Sequence, residues 1–246
     1  MFRPQAKWFG GDYRDLRGEY SADSRNVSDM TDFIRSYRLL EKDLVETFDY
    51  VEPTRKNYST YSHRFYQLLM RACTEFEANA KAILQGNGYT KKKLDIRDYW
   101  KLNRACRLSD YGIINPVNDG PDRWITPFGD WKNAADFEPL SWYQRYNEAK
   151  HNRIAHFEAA NLLNVLNAVS AGFVMLFAQF GSFAFHPYHA VFGVLSSDGP
   201  HKELMHEDSF FQITLPTWPA DECYDFEWET LKREPDPFRD YPFVLK

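Results

Sequence analysis

The sequence predicts a mainly α-helical protein: a bundle of four to five helices with a loop insertion and a small C-terminal extension that contains β-strands. Three observations support this fold class. Apolar residues recur at helical spacing over 28–50 and 61–85, Pro and Gly interrupt the pattern over 110–137, and 162–185 contains no Lys, Arg, Asp or Glu. With 246 residues, of which 43% are hydrophobic, the chain fits a single domain.

This single domain, 1–246, is predicted to have three parts. An N-terminal arm covers 1–27, and the helical bundle covers 28–180, with the loop insertion at 110–137 inside it. The C-terminal extension covers 181–246 and is expected to pack on the bundle through its aromatic residues.

The first two helices are marked by their ends and by their apolar stripes. Ser28 has the side chain of an N-cap, and Pro53 ends the first helix. The second helix covers 61–85 and stops at Gly86, since glycine is favoured just beyond a helix. The apolar stripes consist of Phe33, Tyr37, Leu40, Leu44 and Phe48 in the first helix and of Phe65, Leu68, Leu69, Ala72, Cys73, Phe76, Ala80 and Ile83 in the second.

The rest of the chain predicts two further helices and two strands. A short basic helix follows the second helix, and a long helix starts near Glu138 and runs, with or without a kink, to Phe180. The insertion between them has the turn residues of an ordered loop or a small hairpin. In the extension, 210–215 and 224–229 have the pattern of β-strands.

Composition restricts the function classes. A formal net charge of -5 argues against a broad surface that coats nucleic acid, but it leaves room for a small phosphate site. The three cysteines are far apart and form no C-x-x-C pair, which predicts reduced thiols in a cytoplasmic protein. These cysteines are Cys73, Cys106 and Cys223.

The uncharged segment 162–185 is long enough to span a bilayer. Polar side chains interrupt it at Asn164, Asn167, Ser170 and Gln179, and the mean hydropathy of the chain is -0.59. We therefore predict a helix buried in the bundle and no membrane interaction.

Several other functions lack a sequence motif. The chain contains no G-x-S-x-G, no G-x-x-x-x-G-K-[ST] and no G-x-G-x-x-G, so hydrolase, P-loop and dinucleotide-binding assignments have no support. Four histidines lie close together, but Pro187 interrupts them and no acidic or thiol ligand is suitably spaced. No metal and no cofactor is therefore predicted from His186, His189, His201 and His206.

The segment 142–160 is crowded with positive and titratable side chains, namely Arg145, Lys150, His151, Arg153 and His156. On one continuous helix, Asn147, His151 and Glu158 would share a face with Ile154 and Asn161, while Arg145 and His156 would lie opposite. A straight helix therefore does not bring all the cations together. Either the helix breaks near Lys150 and His151, or another element or subunit completes the site.

Two interpretations of these residues remain open. In the first, the imidazoles move protons near neutral pH while Arg and Lys hold a phosphodiester or nucleotide. In the second, His151 pairs with Glu158 or with a carboxylate on a neighbouring helix, and Lys150 and Arg153 are solvated. Glu77 and Lys81 have a similar ambiguity, because their spacing also suits a simple i,i+4 ion pair.

The run Y-N-E-A-K-H-N-R-I-A-H, followed by a long apolar helix, resembles the last helices of the HEPN superfamily (higher eukaryotes and prokaryotes nucleotide-binding). The run F-E-A-N-A-K-A-I-L adds to the resemblance, because Glu77 and Lys81 match the acidic-then-basic pattern on an early helix of such bundles. The similarity covers about 30–85 and 138–180 and is nearest to uncharacterised bacterial members.

The resemblance implies a HEPN-like bundle that forms homodimers and, in active members, cleaves RNA without a metal through an R-x4–6-H motif. Arg145 and His151 satisfy this motif as the catalytic pair. Lys150 or Arg153 would hold the phosphate and Asn147 would orient it, with Glu77, Lys81 and Glu158 in support. A second register aligns His151 and His156, with histidine in place of arginine and His156 in the substrate site.

The resemblance thus predicts a metal-independent ribonuclease, or a nucleotide-binding component, of a bacterial stress or phage-defence system. RNA or a nucleotide, and a cognate protein, are the expected partners. The alternative is a non-catalytic helical interaction module in which the same polar residues serve the structure.

Overall fold

A computed structural model describes residues 30–180, 203–204, 209–216, 233 and 241–243. The described part is mainly α-helical with one small antiparallel sheet, which confirms the predicted fold class at that level. Its five α-helices are α1 (Met30–Glu46), α2 (His63–Gly86), α3 (Ile96–Cys106), α4 (Ser141–His151) and α5 (Leu162–Phe180). The predicted N-terminal arm 1–27 and the N-cap Ser28 lie outside the described residues.

Helix α5 is the centre of the bundle and packs against α1, α2 and α4. It is long and apolar enough to cross a membrane by length and composition, and 78% of its most apolar window is buried inside the protein. One of its polar side chains also finds a partner in the core, since Gln179 Nε2 donates a 2.9 Å hydrogen bond to Asn79 Oδ1 on α2. The interior contacts of α5 therefore hold the bundle together.

The periodicity of α1 and α2 is confirmed by their burial. The predicted stripe of α2 is entirely buried, and Tyr37, Leu40 and Leu44 of α1 are buried as well. Ser62 begins α2, and its side chain accepts a 3.0 Å hydrogen bond from the Phe65 N–H, as an N-cap does.

The sheet joins the loop insertion to the C-terminal extension. Its strands are antiparallel in the order β2-β1-β4-β3, with β1 at Gly112–Ile114, β2 at Trp124–Ile125, β3 at Glu203–Leu204 and β4 at Gln212–Thr214. Ile113 of β1 pairs with Ile125 on one side and with Ile213 on the other. The predicted hairpin in the insertion and the predicted strand at 210–215 are thus confirmed, whereas 224–229 lies outside the described residues.

The predicted long helix from Glu138 to Phe180 is wrong. Helix α4 ends at His151, because Asn152 leaves the helical conformation with φ -143° and ψ 76°, and a short 3-10 helix, Phe157–Ala159, follows. The shared face of Asn147, His151 and Glu158 therefore does not exist. The other prediction, a break near Lys150 and His151, is confirmed.

The start of α5 explains this break. Asn161 Oδ1 accepts a 3.1 Å hydrogen bond from the Asn164 N–H, which is the bond of an N-cap. The next two N–H groups, of Leu162 and Leu163, donate to the carbonyls of Thr60 and Tyr58 at 2.9 and 3.1 Å. The loop before α2 thus satisfies donors that a continuous helix would have used internally.

Candidate functional site

Residues 150–156, which we call the cationic turn, are all exposed at the end of α4. Asn152 shapes the turn, since its carbonyl accepts from the His156 N–H at 3.1 Å and its Oδ1 accepts from the Ala155 N–H at 3.3 Å. Among the described residues, the side chains of His151, Arg153 and His156 have no hydrogen bond or ion pair. These three predicted site residues are therefore presented to solvent on one short segment.

Lys150 is held at the edge of the cationic turn by Tyr146. Its Nζ donates a 2.9 Å hydrogen bond to the Tyr146 hydroxyl and lies 4.9 Å from the centre of that ring. The hydrogen bond raises the pKa of Lys150 above its usual value, and burial raises the pKa of Tyr146. Lys150 is therefore a fixed cation beside a neutral phenol at physiological pH.

The predicted catalytic pair does not meet within one chain. Arg145 forms an exposed ion pair with Glu148, whose Oε2 lies 2.8 Å from Nη1. Arg145 and His151 are six residues apart on α4, which places them about 9 Å apart along the axis and about 120° apart around it. Asn147 shares the face of His151 and is half-buried. The two side chains of the predicted pair therefore leave α4 in different directions.

Glu77 lies on the side of α2 that faces α4. Its Oε1 accepts a 2.8 Å hydrogen bond from the Tyr143 hydroxyl, and its Oε2 lies 3.4 Å from Lys81 Nζ. The Glu77 side chain is only 18% exposed, so these partners replace most of its water. The ion pair between Glu77 and Lys81 that the spacing allowed is therefore present, together with a tyrosine that the sequence did not indicate.

The remaining supporting residue, Glu158, is exposed and lies in the 3-10 helix after the turn. It forms no ion pair with His151, so the pairing of His151 with Glu158 that a structural role required is absent.

Burial raises the pKa of the Cys73 thiol well above its usual value, with a further contribution from the Glu77 carboxylate and an opposing one from Lys150. Cys73 is therefore a protonated core residue beneath the site.

Sequence reasoning missed a group of aromatic rings beside the cationic turn. Phe157 packs against Tyr61, His63 and Tyr66, with ring-centre distances of 5.6, 4.6 and 6.2 Å. Tyr61 is 51% exposed and His63 is exposed as well. We call these four residues the aromatic cluster; the run Y-S-H-R-F-Y at 61–66 was the available signal.

A cavity of about 390 Å³ lies elsewhere, between α1 and the segment before β4. None of the predicted site residues lines it; the lining residues are Arg38, Glu41, Lys42, Val45, Glu46, Asp49 and Phe210. Glu41 is 4% exposed and binds the extension, because its Oε1 accepts from Ser209 Oγ at 2.6 Å and from the Phe210 N–H at 3.2 Å. Its carboxylate thus serves to hold the extension.

The cationic turn has the chemistry of an anion-binding surface. Within its seven residues it exposes an ammonium, a guanidinium and two imidazole groups. The four histidines weighed as metal ligands, His186, His189, His201 and His206, lie outside the described residues. No family model, no curated protein and no solved structure matches the chain.

Proposed function

We propose that this protein is a HEPN-like RNA-binding protein that cleaves RNA without a metal ion, within the stress or phage-defence setting that the resemblance implies. The cationic turn is its RNA-binding surface. The observation that supports this proposal is that His151, Arg153 and His156 are exposed together without a hydrogen bond or ion pair among the described residues. A guanidinium and two imidazoles left exposed on one segment are available to a phosphate backbone.

Cleavage would use the RNA itself as the nucleophile. The 2′-hydroxyl oxygen attacks the adjacent phosphorus and loses its proton, the bond from phosphorus to the 5′-oxygen breaks, and that oxygen gains a proton. The products are a 2′,3′-cyclic phosphate and a 5′-hydroxyl. His151 moves the protons, and Arg145 stabilises the charge that develops on the phosphate.

The separation of Arg145 and His151 on α4 favours a site that two chains share. In a symmetric dimer, Arg145 of one chain and His151 of the other complete each of two equivalent sites. Asn147, which shares the face of α4 that carries His151, would orient the phosphate or the imidazole. The Arg145–Glu148 pair is exposed and contributes little stability, so a bound phosphate can replace it.

The test is incubation of labelled RNA in EDTA with wild type, Arg145→Ala and His151→Ala. We expect cleavage to a 2′,3′-cyclic phosphate by wild type, a loss in both variants, and no cleavage of RNA with 2′-O-methyl sugars. Lys92→Ala, which removes an exposed cation from a different part of the surface, is the matched control. Absent cleavage by wild type, or cleavage by both variants at the wild-type rate, would contradict the catalytic proposal.

Mixing the two inactive variants tests the shared site. Random exchange makes about half of the dimers mixed, and each mixed dimer has one intact site, so about a quarter of wild-type activity should return. A site contained in one chain would give no recovery.

A second candidate function, a non-catalytic interaction module, is favoured by the bonds of the inner polar residues. Glu77 of α2 accepts from Tyr143 of α4, and Lys150 donates to Tyr146 within α4, so two of the predicted site residues already have partners inside the protein. This candidate predicts that Lys150→Ala lowers stability and leaves RNA affinity unchanged. The RNA-binding proposal predicts that Arg153→Ala lowers RNA affinity and leaves stability unchanged.

A further inference from the structure

We propose that the aromatic cluster stacks a nucleobase of single-stranded RNA whose phosphates lie on the cationic turn. This inference rests on the proposed function and adds to it a binding site for the base. Its four residues, Tyr61, His63, Tyr66 and Phe157, come from two segments almost a hundred residues apart in sequence.

The geometry of the cluster leaves ring surface for a ligand. Phe157 is half-buried and meets Tyr61 edge to face, with an interplanar angle of 83°. Tyr61 nevertheless keeps 51% of its surface exposed, and His63, which is 4.6 Å from Phe157, is exposed too. Phe157 thus supports the cluster from within, while Tyr61 and His63 offer planar groups to solvent.

The backbone beneath the cluster is fixed. Tyr61 forms an isolated β-bridge with Asn161, and the carbonyl of Thr60 accepts from the Leu162 N–H at 2.9 Å. Ser62 caps α2 directly after Tyr61, so the backbone on both sides of Tyr61 is hydrogen-bonded. A side chain on fixed backbone needs less ordering on binding than one on a mobile loop, which favours Tyr61 as a stacking surface.

The residues next to the aromatic cluster indicate that its ligand is a single-stranded nucleic acid. His156 directly precedes Phe157, and Arg153 lies four residues before it, so the cationic turn continues directly into the aromatic cluster. Proteins that bind single-stranded nucleic acid combine a positive surface for the backbone with aromatic side chains for the bases. Ile154, which lies between Arg153 and His156 and is 91% exposed, adds apolar surface to the same segment.

The experiment compares two oligonucleotides that cannot be cleaved. One is a short single-stranded 2′-O-methyl RNA, and the other has the same length and charge but lacks all bases. We expect wild type to bind the base-containing oligonucleotide about tenfold more tightly, the effect of stacking about one base. Tyr61→Ala should abolish this difference and leave binding of the abasic oligonucleotide unchanged, whereas Tyr61→Phe should keep it.

Tyr50→Ala is the matched control, because Tyr50 is 89% exposed and lies outside the aromatic cluster. Equal affinity of wild type for the two oligonucleotides would overturn the stacking proposal and leave the phosphate-binding function standing. Sedimentation of Tyr61→Ala gives a second check. If this variant has a changed oligomeric state but the same base-dependent affinity as wild type, the cluster is a contact between subunits and the stacking proposal is overturned. If wild type binds neither oligonucleotide, the proposed function itself fails, and the stacking proposal with it.

Discussion

The Tyr143 hydroxyl donates a 2.8 Å hydrogen bond to Glu77 Oε1 and so joins α4 to α2. Tyr143 is buried, and burial together with this hydrogen bond raises its pKa above the usual range. The phenol is therefore protonated, and a hydrogen-bond donor, at neutral pH. This bond fixes the helix on which Arg145, Lys150 and His151 lie.

Tyr143→Phe should lower the free energy of unfolding by about 2 kcal/mol, because it removes a charge-assisted hydrogen bond from a largely buried carboxylate. Lys81→Ala, which removes the more exposed partner of Glu77, should cost about 0.5 kcal/mol or less. Urea unfolding of the two variants measures both values. Equal losses would show that the tyrosine bond has no special weight.

Asp98 predicts a dependence of stability on pH. Its buried carboxylate accepts hydrogen bonds from the Tyr89 hydroxyl at 2.8 Å, from Lys91 Nζ at 2.7 Å and from the Asp95 N–H at 2.8 Å. Burial alone would raise the pKa of Asp98, but these bonds, above all the one from Lys91, hold it below its usual value. The ionised form is thus favoured by folding, and its stabilisation is lost as the pH falls through the pKa of the folded state.

Asp98→Asn should therefore cost about 2 kcal/mol at neutral pH, and the difference from wild type should shrink below about pH 3.9. Urea unfolding between pH 3 and pH 7 measures this difference. Asp136→Asn, at an exposed position, is the control and should follow wild type throughout. A difference that stays constant down to the acid limit would contradict the account.

Glu41 predicts how the extension is held. Its Oε1 accepts from Tyr37, Ser209 and Phe210, so Glu41→Gln weakens bonds to both α1 and the chain before β4. We expect a loss of about 2 kcal/mol in stability and faster hydrogen exchange at the Ile213 amide. Glu46→Gln, an exposed change on the same helix, should alter neither. Unchanged exchange at Ile213 in Glu41→Gln would refute this role.

Two glycines should respond to alanine with opposite signs. At Gly112 an added Cβ would lie 2.6 Å from Thr214 Oγ1 and 3.0 Å from a ring atom of Trp124. Gly112→Ala should therefore disturb β1 and lower the free energy of unfolding by about 1–3 kcal/mol. At Gly172, inside α5, the nearest atom is Tyr37 Cδ2 at 3.9 Å, so Gly172→Ala should add about 0.5–1 kcal/mol of stability. Thermal unfolding of both variants checks the pair, and a shared sign would be inconsistent with this packing.

Helices α1 and α2 could be predicted from the sequence, because a regular apolar face defines each of them. The position of the break after α4 could not be predicted. Residues 152–161 contain no Gly and no Pro, so local preference did not stop the helix. Tertiary contacts ended it: Phe157 packs among rings near the start of α2, and carbonyls of Thr60 and Tyr58 accept from the first N–H groups of α5. Asn152 and Asn161 were the local signals, since both residues favour helix ends.

The candidate site was predicted in composition but not in geometry. The exposure of all seven residues from Lys150 to His156 follows from the break, because a continuous helix packed on the bundle would have buried one face of this segment. The aromatic cluster depends on contacts between Phe157 and residues 61–66. These residues are far apart in the sequence, and the spacing of apolar residues gives no information about such long-range contacts. The bond between Tyr143 and Glu77 likewise joins two helices across 66 positions.

The most direct test of the RNA-binding proposal is the salt dependence of binding to a single-stranded 2′-O-methyl RNA. The slope of log affinity against log salt concentration counts the phosphates that the protein neutralises. We expect Arg153→Ala to weaken binding and to reduce the magnitude of this slope by about 0.7, the value for one phosphate contact on a single strand, while Lys92→Ala leaves both unchanged. The same affinity and the same slope in Arg153→Ala as in wild type would contradict the placement of RNA on the cationic turn.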